Sequence, residues 1–195
     1  MSSSESKSDG ILDASLAVFC RYGFRKTSMR DIAEAAGISR AAVYLHFKNK
    51  EEVFRAGSIR AHGQVMHAVE LELSRNLEVF ERIEAALSTY FAGLLEEISG
   101  SPHGSELFDA NVGLVGDVAR EARQRLVQLI ATALSEADHF GEIKLANIGA
   151  SSEQLATLIC TTIDGLKNAG APALPVRSGL ALQLQMMRAS IGTTL

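Results

Sequence analysis

Along almost the whole chain apolar residues return every three or four positions, and no stretch alternates apolar with polar. A period between three and four belongs to helices with one buried face, whereas a half-buried strand repeats every two residues. The three prolines, Pro102, Pro172 and Pro175, all lie beyond the first hundred residues, so nothing there interrupts helical hydrogen bonding. The pattern predicts an all-α fold of about nine helices, and a chain of 195 residues can hold one medium domain or two small ones.

Punctuation along the chain places the elements. The Ser-rich stretch 1–8 reads as a mobile tail. A first helix runs from about Ser8 to Tyr22 on a stripe of Leu12, Ser15/Leu16, Phe19 and Tyr22, and Gly23 ends it. A second starts at Ser28, with Asp31 three residues on as a weak capping box, and stops at Gly37. Ser39 caps a third that reaches about Phe47. A fourth spans about Glu51 to Arg75, and a fifth carries Val79, Ile83, Leu87, Tyr90/Phe91, Leu94 and Ile98. After the loop 99–104 come a short helix near 106–115 and a longer one near 117–137. His139–Ser152 reads as a loop, Ser152 caps a helix through Leu166, and a final helix runs from about Val176 to Ile191.

Net charge is −4, which by itself argues against a polyanionic partner. The distribution argues otherwise. Residues 1–50 hold eight Lys/Arg against five Asp/Glu, a balance of +3, and residues 51–195 hold eleven against eighteen, a balance of −7. A basic head on an acidic body suggests that only the head meets nucleic acid, although chance surface variation gives such splits as well. The two cysteines, Cys20 and Cys160, sit in apolar periodic stretches and read as small buried hydrophobes. With no secretory core at the N-terminus and no membrane-length apolar run, the expected compartment is the cytoplasm.

The informative stretch is Thr27–Lys50, TSMRDIAEAAGISRAAVYLHFKNK. Two short helices are separated by Ala36-Gly37-Ile38, the length of turn that a DNA-binding helix-turn-helix needs. Ala33 lets the helices approach, Gly37 can take the left-handed conformation, and Ile32, Ile38, Val43 and Phe47 form the buried seam. The other side of the third helix is then left for DNA: Arg40, Ala41, Ala42, Tyr44 and Leu45, with His46 at its edge. Arg40 can fork onto a guanine edge, the alanines allow close approach or touch a thymine methyl, and Tyr44 and His46 can bond phosphate. Lys48 and Lys50 add charge, and Thr27, Ser28, Arg30 and the cap Ser39 complete the candidate contacts; phosphate contacts position without specifying sequence. Two short amphipathic helices joined by glycine also occur in folds that never meet DNA.

Residues Leu12 to about Phe54 resemble the DNA-binding domain of the tetracycline-repressor (TetR) family. The matching elements are Ala17-Val18-Phe19 with Gly23-Phe24, Thr27-Ser28, Ile32-Ala33, Ala36-Gly37-Ile38-Ser39, Val43-Tyr44, His46-Phe47 and Lys50-Glu51-Glu52-Val53. Ala41 stands where the family often has Gly or Pro. The resemblance implies a head over 9–55, with its motif at about 29–48, on an effector-binding and dimerising body over 56–195. It implies a homodimer that binds double-stranded, near-palindromic operator DNA in the bacterial cytosol and releases it when a small-molecule effector enters the body. It implies no enzyme activity and no cofactor.

The last two helices would form the dimer interface, through Leu155, Ile159, Thr162, Ile163 and Leu166 on one and Leu180, Leu184, Met187 and Ile191 on the other. Burial of these residues inside their own subunit is the competing reading. Asp164, in a strongly apolar helix, reads as a hydrogen-bonded carboxylate there or a ligand contact. Met66, Phe80, Tyr90, Phe91, Phe108, Phe140 and Cys160 are the candidates for an apolar effector pocket, which would take a hydrophobic or amphipathic compound. His62 and His67, five apart, point ~140° away from each other and cannot share a metal locally. No nucleophile motif, phosphate-binding glycine loop or metal spacing is present. Activation, ligand-independent binding, or a helical interaction or enzyme domain with a structural helix-turn-helix are the alternatives.

Overall fold

The computed structural model describes residues 3–99, 101–168 and 175–192; the side chains of residues 3–6, 94–99, 108, 167 and 168 are outside that description. Among the described residues the fold is all-α. Its elements are α1 (Ser3–Tyr22), α2 (Met29–Ala35), α3 (Arg40–Tyr44), α4 (Lys50–Leu73), α5 (Val79–Ser99), α6 (Gly104–His139), a 3-10 turn (Leu145–Asn147), α7 (Ser152–Asn168) and α8 (Val176–Ile191). The extended contact among these residues is a single antiparallel bridge between Ile143 and Gly192. No described helix is long and apolar enough to cross a membrane.

Several boundaries differ from the pattern, each for a local reason. Helix α1 begins at Ser3, so residues 3–8 of the expected tail are helical. That stretch contains no helix breaker, and one turn further on Asp9 and Asp13 both pair with Arg60 of α4. Tyr22, placed on the inward stripe, is 46% exposed, and Ile11 and Val18 are buried instead. The two helices expected around 106–137 are one, α6, with a non-helical residue at Val115 (φ −139°, ψ 16°). Val115 is fully buried, and Arg55 bonds the Leu114 carbonyl before it at 2.9 Å and pairs with Asp117 after it, so the chain is held on both sides of the kink. The cap of α7 is Ser151: its hydroxyl accepts the Gln154 amide at 3.2 Å, and the Gln154 side chain accepts the Ser151 amide at 2.9 Å.

The chain divides into two compact units at places other than residue 55. The first joins the described residues up to Gln64 with Ala92–Arg120; the second joins Val65–Phe91 with the described residues from Glu121 on. The reason is packing. Leu107 and Val115 of α6 enter the core made by Ile11, Leu12, Phe19, Met29, Ile32, Ala33, Val43, Phe47, Val53 and Phe54. Within it Phe19, Phe24 and Phe54 form a ring cluster with centroids 5.2–5.5 Å apart. Offset and edge contacts of that kind add to plain area burial. The second unit is built on the buried residues of α7 and α8 with Val69, Phe80, Ile83, Leu87, Leu126, Ile130, Leu134 and Ile143. Arg82 bonds the Leu73 carbonyl at 3.0 Å and pairs with Glu142.

Candidate nucleic-acid interface

The helix pair is locally specified. Ser28 accepts the Asp31 amide, and the Asp31 carboxylate accepts the Ser28 amide at 2.8 Å, a complete capping box at the start of α2. The Ser28 hydroxyl, which also donates to that carboxylate at 2.7 Å, and the Ser28 amide hold the Asp31 carboxyl below its usual range. Gly37 sits at φ +66°, the left-handed conformation expected of it, and the Ile38 amide returns to the Ala33 carbonyl at 3.0 Å. Ser39 caps α3 by accepting the Ala42 amide at 3.1 Å. Ile32, Ala33, Val43 and Phe47 form the buried seam as expected, but Ile38 is 38% exposed and only borders it.

Burying that seam orients everything else. Arg40, Ala41, Tyr44 and Leu45 face outward, Leu45 most of all at 85% exposure, while Ala42 and His46 are half-buried at the edges. Regular helix stops at Tyr44, three residues earlier than expected, and Leu45 and His46 lie on the tightened turn that follows. Arg40 is held over the Tyr44 ring, 5.4 Å from its centroid, and donates to the Tyr44 hydroxyl at 3.2 Å. An exposed guanidinium has further N–H donors, in the planar arrangement that suits a base edge. Arg30 and Lys48 are exposed beside this face.

Two expected contacts are not available. Thr27 is 2% exposed and its hydroxyl donates to the Gly23 carbonyl at 2.7 Å, so it serves the turn and not a phosphate. Lys50 donates to the carbonyls of Phe24, Arg25 and Thr27 at 2.8–3.0 Å, which occupies its ammonium. Sequence spacing cannot reveal the Lys50 contacts, because tertiary folding brings those carbonyls from about 25 residues away; the Thr27 bond is local, to a carbonyl four residues back in the turn.

In the second unit the predicted pocket residues separate. Tyr90 and Cys160 are buried; burial pushes the Tyr90 phenol up to about 12 and the Cys160 thiol up to about 11. Both sense Asp164, whose carboxylate accepts Arg123 Nε at 2.6 Å. The Phe91 ring meets Tyr90 edge-on at 5.4 Å, and Met66 and Phe80 are buried. Phe140 is 81% exposed, packed edge-on against His139, and lines no interior space. The Phe108 side chain lies outside the described residues. Cys160 is buried as expected, but Cys20 is only half-buried. No three His, Cys, Asp or Glu side chains gather as a metal site among the described residues.

Helices α7 and α8 divide the predicted dimer face: Leu155, Thr162, Leu166, Met187 and Ile191 line an open depression, and Ile159, Ile163, Leu180 and Leu184 do not. Leu155, Ile159, Ile163, Leu180, Leu184 and Ile191 are buried within the chain itself, at 0–4% exposure. Thr162, Leu166 and Met187 are half-buried. The most exposed apolar residues of the two helices were not among those predicted: Leu158, Leu182 and Met186 are 54%, 50% and 62% exposed. With Ile148, Thr162, Leu166, Gln183 and Met187 they line an open apolar depression of about 530 Å³. The sequence did contain a signal for it, since Leu182 and Met186 are four apart and form a second stripe beside Leu180 and Leu184.

Similarity to known proteins is concentrated on the helix pair. Residues 11–56 match the family described as bacterial regulatory proteins, tetR family. The HTH-type transcriptional regulator YfiR of Bacillus subtilis is 51% identical over 45 residues, 23% of this chain and 22% of that protein. The HTH-type transcriptional regulator SrpR of Pseudomonas putida is 30% identical over 142 residues, 69% of this chain and 62% of that protein. The chain thus spans less than two thirds of these relatives. Among solved structures, SmeT, the repressor of the Stenotrophomonas maltophilia multidrug efflux pump SmeDEF, superposes with a TM-score of 0.65 at 22% identity, over 95% of this chain and 90% of that one. SmeT is also known as a complex with triclosan.

Proposed function

We propose that the chain is a member of the TetR family of bacterial regulatory proteins, whose family description its residues 11–56 match, and that it is a transcription regulator, a repressor that binds operator DNA as a homodimer and releases it when a small effector enters its second unit. The observation that carries this reading is the division of α3 and its following turn. Val43 and Phe47 are 0% and 6% exposed, while Arg40, Ala41, Tyr44 and Leu45 face solvent. A short helix with one face locked into its own core and a cationic, small and apolar mixture on the other has the chemistry of a major-groove reader. Arg40 reads a base edge, Leu45 and Ala41 meet thymine methyls, and Arg30 and Lys48 hold phosphates.

Pairing follows from the geometry of DNA, whose half-sites repeat about every 34 Å, so that two reading helices are needed on a near-palindromic site. The apolar depression between α7 and α8 supports pairing there, through Leu158, Leu182 and Met186. The effector is a hydrophobic or amphipathic compound met by Met66, Phe80, Tyr90 and Phe91, with Arg123 and Asp164 as the polar groups nearby. Triclosan on SmeT is a compound of that kind on a protein of the same fold. The bacterial cytosol is the corresponding compartment.

The test is selection of duplexes by the full-length chain from a randomised pool, followed by gel shift at several salt concentrations. The expected result is enrichment of an inverted repeat bound with a steep salt dependence. No enrichment over random duplex overturns the reading.

A further inference from the structure

The turn 23–27 between α1 and α2 is gripped from two sides within the first unit. From the first residue of α4, Lys50 donates to the carbonyls of Phe24 at 2.8 Å, Arg25 at 3.0 Å and Thr27 at 3.0 Å. Its nitrogen also lies 4.7 Å from the centre of the Phe24 ring. An ammonium has three N–H donors, and here each has an acceptor. From the first turn of α6, the Glu106 carboxylate accepts the Arg25 amide at 2.6 Å. Just before it, Ser101 donates its hydroxyl to the Cys20 carbonyl at 2.7 Å. Gly23 fits between these groups at φ +82°, where a Cβ would lie 2.6 Å from Glu106 Oε2.

The chemistry matches what the turn lacks. A break between two helices leaves carbonyls open at the end of the first and amides open at the start of the second. A cation on the carbonyls and a carboxylate on an amide supply charge-assisted partners to both, which are stronger than neutral ones. The same turn sets where Ser28 begins α2, and α2 carries the seam that orients α3.

We propose that Lys50 and Glu106 are positioning residues for the DNA interface: together they latch the turn 23–27, and neither touches DNA. The proposal rests on the DNA-reading function only for its affinity arm. A lysine seated on a phosphate displaces a counterion and adds about 0.9 to the salt slope of binding. A lysine whose donors are spent on carbonyls leaves that slope almost unchanged when it is removed.

The experiment compares full-length wild type with Lys50→Met, Glu106→Ala, Glu106→Gln and Lys48→Ala. Without DNA, amide hydrogen exchange over residues 23–31 is expected to quicken about ten-fold or more in Lys50→Met and Glu106→Ala, as loss of a charge-assisted bond implies. It should stay near wild type in Glu106→Gln, whose amide oxygen can still accept, and α7 and α8 should exchange unchanged in all four. On the duplex that wild type selects, Lys50→Met and Glu106→Ala should bind about ten-fold more weakly with the wild-type salt slope, and Glu106→Gln should recover. Unchanged exchange in Lys50→Met and Glu106→Ala overturns the latch. A slope shallower by about 0.9 in Lys50→Met, matching Lys48→Ala, overturns it by making Lys50 a phosphate ligand. If wild type selects no duplex, the DNA-reading function falls, and the exchange data still decide the latch.

Discussion

The face of α3 and the face of α7 and α8 are both exposed surfaces on helices, yet they were not equally readable. On α3 the apolar residues are few, Val43 and Phe47 lie on one side, and the opposite side is what remains. On α8 apolar residues fall on two stripes, Leu180 with Leu184 inward and Leu182 with Met186 outward. A helix with one apolar stripe names its buried side, whereas a helix with two leaves the choice to its neighbours. The buried stripe is thus a statement about folding, and the exposed one is the surface of the proposed pairing.

Charge substitution is the strongest way to break this comparison. Ile163→Asp places a carboxylate in a fully buried position and is expected to unfold the second unit, a loss above about 4 kcal/mol. Met186→Asp is expected to keep the circular dichroism of a folded chain, and to sediment as a monomer with operator binding lost. A dimeric Met186→Asp would remove the outward stripe from the pairing surface.

A milder pair sharpens the same contrast on α3. Val43→Ala should cost about 1–2 kcal/mol in denaturant unfolding, because a fully buried side chain is cut back. Leu45→Ala, at an 85% exposed site, should change unfolding by less than about 0.5 kcal/mol while altering which duplexes are selected. Equal unfolding costs would mean that the two sides of α3 are not divided as described. Arg40→Ala should cost about 1–3 kcal/mol on the preferred duplex and far less on one altered at the base it reads. A uniform loss on every duplex would assign Arg40 to phosphate.

The smallest effect probes the inward side of α7 without mutation. With its thiol pushed up to about 11 by burial, Cys160 presents roughly one thiolate in a thousand at pH 8. Iodoacetamide should then leave it unmodified in the native chain. The sign for stability follows: the contribution of the buried neutral thiol is intact below about 9 and is lost as pH rises through about 11. Fast alkylation at pH 8 would place Cys160 outward with Leu158.

Much of the first unit was legible. The capping box at Ser28 and Asp31, the left-handed Gly37, the Ser39 cap and the Ile32, Ala33, Val43 seam all rest on residues within a few positions of each other, and local chemistry is enough to infer them. The family resemblance over Leu12–Phe54 rests on the same stretch, and the family match covers residues 11–56. What escaped depends on how the chain packs around each side chain. Lys50 was read as a phosphate contact and is spent on carbonyls about 25 residues earlier. Thr27 was read as exposed and is enclosed, and Phe140 was read as enclosed and is exposed.

The amino-acid order alone determined the helical class, the helix-turn-helix and the outward face of α3, because periodicity and caps act over one or two turns of helix. Tertiary structure alone decided which stripe of α7 and α8 is buried, that α6 joins the first unit through Leu107 and Val115, and that Lys50 and Glu106 close on the turn 23–27. Those outcomes depend on which distant groups compete for the same buried space and the same hydrogen bonds, and that competition is settled only when the chain has packed.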